Sequence, residues 1–198
     1  MKSETKQVEQ VKGQPFREVI FAEILKTLNP GTLVDLGAGH CTFSVIARNL
    51  GFKVTAIDAR TVRVPKDLPS DIGFIESNVL DVDLEQYDII CILGLLYHLT
   101  LTEQIQLLQK CKNKTVIIDT HLTAATFVET DGYLGQYYQE AKTEKQLLEN
   151  PRAAFTTLQS FWHSYQSFYK LIENSGFSEI TIIKPEHYPY RTFFICKP

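Results

Sequence analysis

Thr32-Leu33-Val34-Asp35-Leu36-Gly37-Ala38-Gly39-His40-Cys41 is an apolar run that breaks into two closely spaced glycines. The run reads as a short buried strand ending at Gly37. Glycines at a strand-to-helix turn let the backbone approach a ligand, and the N-terminus of the next helix favours a negative group nearby. Residues 40–51 read as that helix, closed by Gly51, and residues 53–58 as a second strand. Strand, helix and strand within residues 32–58 make the βαβ unit of a parallel sheet.

The alternation continues outward in both directions. Upstream, Pro15 opens a helical pattern in which Phe16, Ile20, Ile24 and Leu28 share one face, and Asn29-Pro30-Gly31 stops it. Residues 1–14 form a polar leader, expected to be flexible. Downstream, residues 59–72 carry Pro65 and Pro69, so a crossover helix there is short or missing. Residues 73–78 and 87–93 read as strands, 101–111 as a helix and 114–121 as a fifth strand. Strands alternating with helices predict a doubly wound α/β sheet.

Residues 122–155 break the pattern with Gly132, Gly135, Pro151 and a cluster of Tyr133, Tyr137 and Tyr138. A stretch of this length is expected to be a lid or substrate-binding insertion, at about 122–159, within a single domain spanning 15–198. After it, Phe161, Tyr165, Phe168, Tyr169 and Ile172 form a helical stripe ended by Gly176, with Phe161-Trp162-His163 at its start. Two last strands, 179–185 and 190–198, are joined too closely for a parallel crossover and predict an antiparallel hairpin.

Composition narrows the function classes. The 198 residues suit one domain, and 44% hydrophobic with 22% charged residues is a globular mix. A net charge of −3 gives no whole-domain basic field for nucleic acid or anionic lipid. Cys41, Cys91, Cys111 and Cys196 are scattered with no Cys-x-x-Cys pair, which predicts reduced, mostly buried thiols. The polar N-terminus lacks the apolar core of a secretory signal, and no apolar run approaches the ~20 residues of a membrane span. A cytoplasmic location is expected, with no membrane partner and an undetermined oligomeric state.

The glycine turn and the second strand carry the chemistry. A dinucleotide fingerprint would need a third glycine at position 42, which is Thr42 here. Asp58 ends the second strand about twenty residues after the turn, where a carboxylate accepts hydrogen bonds from both ribose hydroxyls of an adenosine. Gly37, Gly39 and Asp58 at strand ends with this separation point to nucleoside binding.

On these residues the sequence resembles the class I S-adenosylmethionine-dependent methyltransferases, small-molecule type. Asp35-x-Gly37-x-Gly39, with Ala38 between the glycines, looks like their first motif, although Cys41 stands where a third glycine is frequent. Asp58, followed by Ala59, matches the acidic residue closing the family's second strand. Asn78-Val79 sits where the family has Asp and a small apolar residue beside the adenine, and an asparagine keeps an acceptor there. The resemblance implies a Rossmann-like, mostly parallel seven-stranded sheet with a C-terminal antiparallel hairpin. It implies S-adenosyl-L-methionine as cofactor and S-adenosyl-L-homocysteine as product, with Gly94 and Leu95 lining the methionine side. Arg17 is placed to pair with the methionyl carboxylate or with an acidic substrate. It covers about residues 15–121 and 160–198, and identifies the cofactor far better than the acceptor.

Candidate catalytic residues lie at the ends of the fourth and fifth strands. Tyr97-His98 follows one and Asp119-Thr120-His121 ends the other, so His98 and His121 are both candidate bases on the ligand-binding edge. Two histidines with Asp119 lack a clear third ligand, so no metal is assigned. Tyr133, Tyr137, Tyr138, Trp162 and His163 are candidate acceptor contacts. The expected activity is methyl transfer to an O, N or C atom of a small molecule. Two alternatives stay open: a wobble-uridine-type tRNA modifying enzyme, which would usually carry Arg where Leu99 stands, and a cofactor-binding regulatory protein without turnover.

Overall fold

The computed structural model describes residues 4–6, 16–124, 127–186, 188 and 190–198. Pro15 and the rest of the leader outside residues 4–6 lie beyond what it describes. In chain order the elements are β1 (Glu4–Lys6), α1 (Phe16–Lys26), β2 (Thr32–Leu36), α2 (Thr42–Asn49), β3 (Lys53–Asp58), β4 (Gly73–Glu76) and β5 (Ile89–Leu93). A single 3-10 turn (Leu96–His98) leads to α3 (Leu101–Lys110) and β6 (Thr115–His121). The insertion holds β7 (Val128–Thr130), β8 (Tyr133–Gln139), α4 (Glu144–Glu149) and β9 (Gln159–His163). The chain closes with α5 (Tyr165–Asn174), β10 (Glu179–Ile183) and β11 (Arg191–Lys197).

The main sheet has the order β1-β10-β11-β6-β5-β2-β3-β4. Strands β4, β3, β2, β5 and β6 run parallel, while β11 is antiparallel to both β6 and β10. Seven of these strands are those expected from the sequence, including the closing hairpin. The eighth comes from the leader: Glu4–Lys6 pairs in parallel with β10, whose outer edge would otherwise present unpaired N–H and C=O groups. Between β3 and β4 the chain makes turns only, as Pro65 and Pro69 require.

Alternation along the strands builds two cores, one on each face. Leu33 of β2 and Ile89, Cys91 and Leu93 of β5 face α1 and α2, meeting Phe21, Ile24, Phe43 and Ala47. Val34 and Leu36 of β2 and Ile90 and Ile92 of β5 face the other way, onto Leu107, Leu108, Phe168 and Leu171 of α3 and α5. The strands are therefore apolar on both faces, as a doubly wound sheet demands. All four cysteines are free and buried. Among the described residues no helix is long and apolar enough to cross a membrane.

The late helix differs from the expected one. Gln159–His163 is a strand, paired antiparallel with β8 in a separate three-stranded sheet β7-β8-β9. The helix begins only at Tyr165, because the Ser164 hydroxyl accepts the Ser167 backbone N–H and caps it there. Phe161 fits the helical spacing by coincidence and is buried from the strand instead. The tyrosine cluster is likewise on a strand, so Tyr137 and Tyr138 point to opposite faces.

Candidate active site

The order of the parallel strands reverses at β2, which lies between β3 and β5, and the crevice of such a sheet opens at the carboxyl ends there. The turn from β2 to α2 occupies that point. Gly37, Gly39 and Cys41 all take left-handed backbone angles, with φ of 71°, 53° and 55°. The Arg63 guanidinium lies against the turn, its Nη2 2.6 Å from where a Cβ on Gly39 would stand. Asp35 sits beneath the turn, fully buried, and accepts the Ser44 hydroxyl at 2.6 Å. Burial pushes its carboxyl up to about 6, with the Ser44 hydrogen bond opposing the rise.

Asp58 ends β3 with both carboxylate oxygens held by backbone. Oδ2 accepts Gly39 N–H at 2.8 Å and Oδ1 accepts Arg60 N–H at 2.9 Å. The carboxylate is thereby locked toward the glycine turn with lone pairs to spare. Asn78, after β4, uses Oδ1 to accept Leu80 N–H at 3.0 Å, an Asx-type turn that orients the side-chain amide.

A second polar cluster lies where β5, β6 and β11 meet. Asp119 is completely buried and accepts Arg17 Nε at 2.6 Å, Arg191 Nε at 2.6 Å and Arg191 Nη2 at 2.9 Å. Arg191 also donates from Nη1 to His121 Nε2 at 2.6 Å. Burial, with the neighbouring Arg191 charge, pushes His121 down to about 4, so its imidazole is neutral and its Nε2 lone pair is already taken. One carboxylate between two guanidiniums leaves a net positive charge beside Gly94. Gly94 has a φ of 87°, which disfavours any side chain there, and the Arg17 and Arg191 guanidiniums close over its bare backbone.

His98 ends the 3-10 turn with Nδ1 3.0 Å from both oxygens of Glu140. Tyr97 stands between the two histidines, its ring 4.4 Å from His98 and 4.7 Å from His121. Behind it, Trp162 stacks on His121 at 5.4 Å and on Tyr138 at 4.7 Å.

These parts surround one cavity of about 410 Å³. Its floor is the glycine turn with Asp58, Ala59, Asn78 and Val79, and its far wall is Arg17, Gly94, Leu95, Tyr97 and His98. Residues 151–156 of the insertion line its remaining side. Arg60 holds that segment, donating to the carbonyl oxygens of Leu147, Asn150, Ala153 and Ala154 at 3.0–3.5 Å.

No family model matches the chain, and no curated protein matches it in sequence. Solved structures do match its fold. The N-terminal domain of EvdMO1 in the presence of SAH and D-fucose superposes with a TM-score of 0.72 at 17% identity, over 93% of this chain and 83% of that one. The Burkholderia thailandensis 1,6-didemethyltoxoflavin-N1-methyltransferase, with 1,6-didemethyltoxoflavin and S-adenosylhomocysteine bound, gives 0.63 at 16% identity, over 91% and 76% of the chains. Human N-acetylserotonin methyltransferase in complex with SAM gives 0.59 at 16% identity, over 92% of this chain and 53% of that one. The fold is that of the class I methyltransferases.

On this methyltransferase fold, most of the sequence-derived positions converge. Arg17, Gly37, Ala38, Asp58, Ala59, Asn78, Val79, Gly94, Leu95, Tyr97 and His98 all line the cavity. Asp35 and Gly39 lie just behind it, shaping the turn. The candidate acceptor contacts do not line it. Tyr133 is buried, with its hydroxyl accepting Asn174 Nδ2 at 3.0 Å, and Tyr137 packs on Phe161 beside Thr130. Trp162 and Tyr138 form only the second layer behind Tyr97. His121 is occupied by Arg191 rather than free to act as a base.

His163 is a core residue instead of an acceptor contact. It is 2% exposed, among Tyr133, Phe161 and Phe168, and burial pushes it down to about 3. Because the unfolded imidazole protonates near 6.5 and the folded one only near 3, the unfolded state binds more protons between these values. Stability from this group is therefore lost as pH falls from 6.5 toward 3. His163→Phe should flatten the acid limb of a stability-versus-pH curve in that window, measured by urea unfolding; an unchanged limb would refute the neutral buried state.

Several site residues escaped the sequence. Glu140, Arg60 and Arg63 come from loops without a motif, and Arg191 falls in the last expected strand with nothing to mark a role, whereas residues 151–156 lie within the expected insertion at about 122–159. For Arg191 a signal existed: the antiparallel course of β11 brings its first residue back to the carboxyl edge, opposite His121.

Proposed function

We propose that the protein is an S-adenosylmethionine-dependent methyltransferase acting on an O, N or C atom of a small-molecule acceptor. The observation that carries this is the single lidded cavity joining the glycine turn and Asp58 at one end to His98 at the other. The residues fit such a cofactor. Asp58 would take the ribose hydroxyls, Asn78 and Val79 the adenine, and the bare backbone at Gly94 with the Arg17 guanidinium the amino-acid end. Arg17 Nη1 has no protein partner among the described residues, while its Nε and Nη2 hold Asp119 and the Leu93 carbonyl.

When bound, the cofactor supplies an activated methyl group for in-line displacement. What the chain adds is position and a proton acceptor. The lid excludes water, the glycine turn and Asp58 fix one partner, and His98, whose Nε2 has no hydrogen-bond partner among the described residues, takes a proton from an acceptor that carries one. The neighbours' acceptors and their bound SAH and SAM support this reading by likeness of fold.

Calorimetric titration tests it directly. Micromolar binding of S-adenosylmethionine and S-adenosylhomocysteine, with none of NAD, is the expected result. A folded sample that binds neither would overturn the assignment.

A further inference from the structure

Glu140 follows β8 and joins four segments through one carboxylate. Its side chain is 2% exposed. Oε1 accepts the Ser160 hydroxyl of β9 at 2.7 Å, Oε2 accepts the Ala154 N–H of the lid at 3.1 Å, and His98 Nδ1 lies 3.0 Å from each oxygen. Burial works to raise its pKa, but hydrogen bonds from His98, Ser160 and Ala154 more than offset this and hold the group below its ordinary range. A carboxylate can only accept, so Nδ1 of His98 carries a proton and, in the neutral ring, Nε2 keeps its lone pair on a residue that lines the cavity.

The lid end of this network depends on Arg60. Its guanidinium clasps carbonyls on both sides of the segment that bears Ala154. Its own backbone N–H is held by Asp58. We propose that Glu140 is a positioning residue that fixes His98 in its Nδ1–H form only while Arg60 keeps residues 151–156 closed over the cavity as a lid. With the lid open, the Ala154 N–H leaves and water reaches the carboxylate. The attraction that orients the imidazole then weakens in the higher dielectric. The base is thus set at the moment the cavity is sealed. Its use in methyl transfer rests on the function proposed above, whereas the coupling itself needs no cofactor.

Two-bond proton–nitrogen NMR of the ligand-free protein reads the tautomer of each of the five histidines, with His98 assigned by its loss in His98→Gln. The wild type should show Nδ1–H at His98. Glu140→Ala should shift it toward Nε2–H, and Glu140→Gln, which keeps an oxygen acceptor, should restore it. Arg60→Ala should speed Ala154 amide exchange about tenfold or more and move the His98 signals in the same sample. An Nε2–H ring in the wild type overturns the proposal, even if the Glu140 variants fail to fold. So does an Arg60→Ala protein in which Ala154 exchange is unchanged, or is faster without any change at His98. Failure of S-adenosylhomocysteine to bind would instead sink the methyltransferase reading and leave the NMR result standing.

Discussion

Asp119→Asn is expected to destabilise the fold by about 3–5 kcal/mol, the scale for removing one partner of a buried ionic group. Asp119 has no exposed surface and is the shared acceptor of Arg17 and Arg191. An amide keeps one acceptor oxygen but removes the negative charge, leaving Arg191 buried with no carboxylate against it and only the neutral His121 and the Tyr97 ring to face it. Arg17 reaches the cavity, with 29% of its side chain exposed, and can recover water. The main penalty therefore falls on Arg191. Thermal unfolding should drop by roughly 6 °C or more, at ~2–4 °C per kcal/mol for a chain of this size. Replacing the pair together, as Asp119→Leu with Arg191→Met, should recover much of the loss, because a packed apolar pair carries no uncompensated charge. An Asn variant within about 1 kcal/mol of wild type would show that the cluster is hydrated and not a closed ionic group.

The second large effect concerns ligand affinity. Asp58→Ala is expected to weaken S-adenosylmethionine binding by about 1.5–3 kcal/mol, the scale of hydrogen bonds to a charged group, or roughly ten- to hundredfold in Kd. The loss has two sources. The carboxylate itself goes, and so do the acceptors of Gly39 N–H and Arg60 N–H that hold the glycine turn and the base of the lid latch. Asp58→Asn keeps an acceptor oxygen and should fall between the two. Calorimetry with S-adenosylhomocysteine separates these variants, and an affinity unchanged in Asp58→Ala would mean that the ribose does not sit at the end of β3.

Errors in reading the sequence cluster where local pattern and tertiary pairing compete. Phe161, Tyr165 and Phe168 satisfy a helical period, yet Phe161 pairs across β9 with Tyr137 of β8. A strand in a small sheet is chosen by its partner, and that partner is some twenty residues away and itself ambiguous. His163 illustrates the same limit for sites. Its neighbour Trp162 approaches Tyr97 while His163 turns into the core, because successive strand residues face opposite ways. The one-residue difference in direction was invisible until the element was known to be a strand.

The sequence by itself determined the βαβ scaffold, its hairpin ending and the residues that line the floor of the cavity. These follow from short-range rules: apolar strands of fixed length, glycines at a turn, and an acid at the next strand's end. Only the tertiary structure decided which histidine is free to act. His98 and His121 are equivalent as letters at strand ends. Arg191, arriving on an antiparallel strand seventy positions later, occupies His121, while Glu140, from an insertion without a motif, takes His98 by Nδ1 and leaves Nε2 without a partner among the described residues. Partners brought together by chain return have no sequence spacing to read, and the charge and burial they impose set what each imidazole can do.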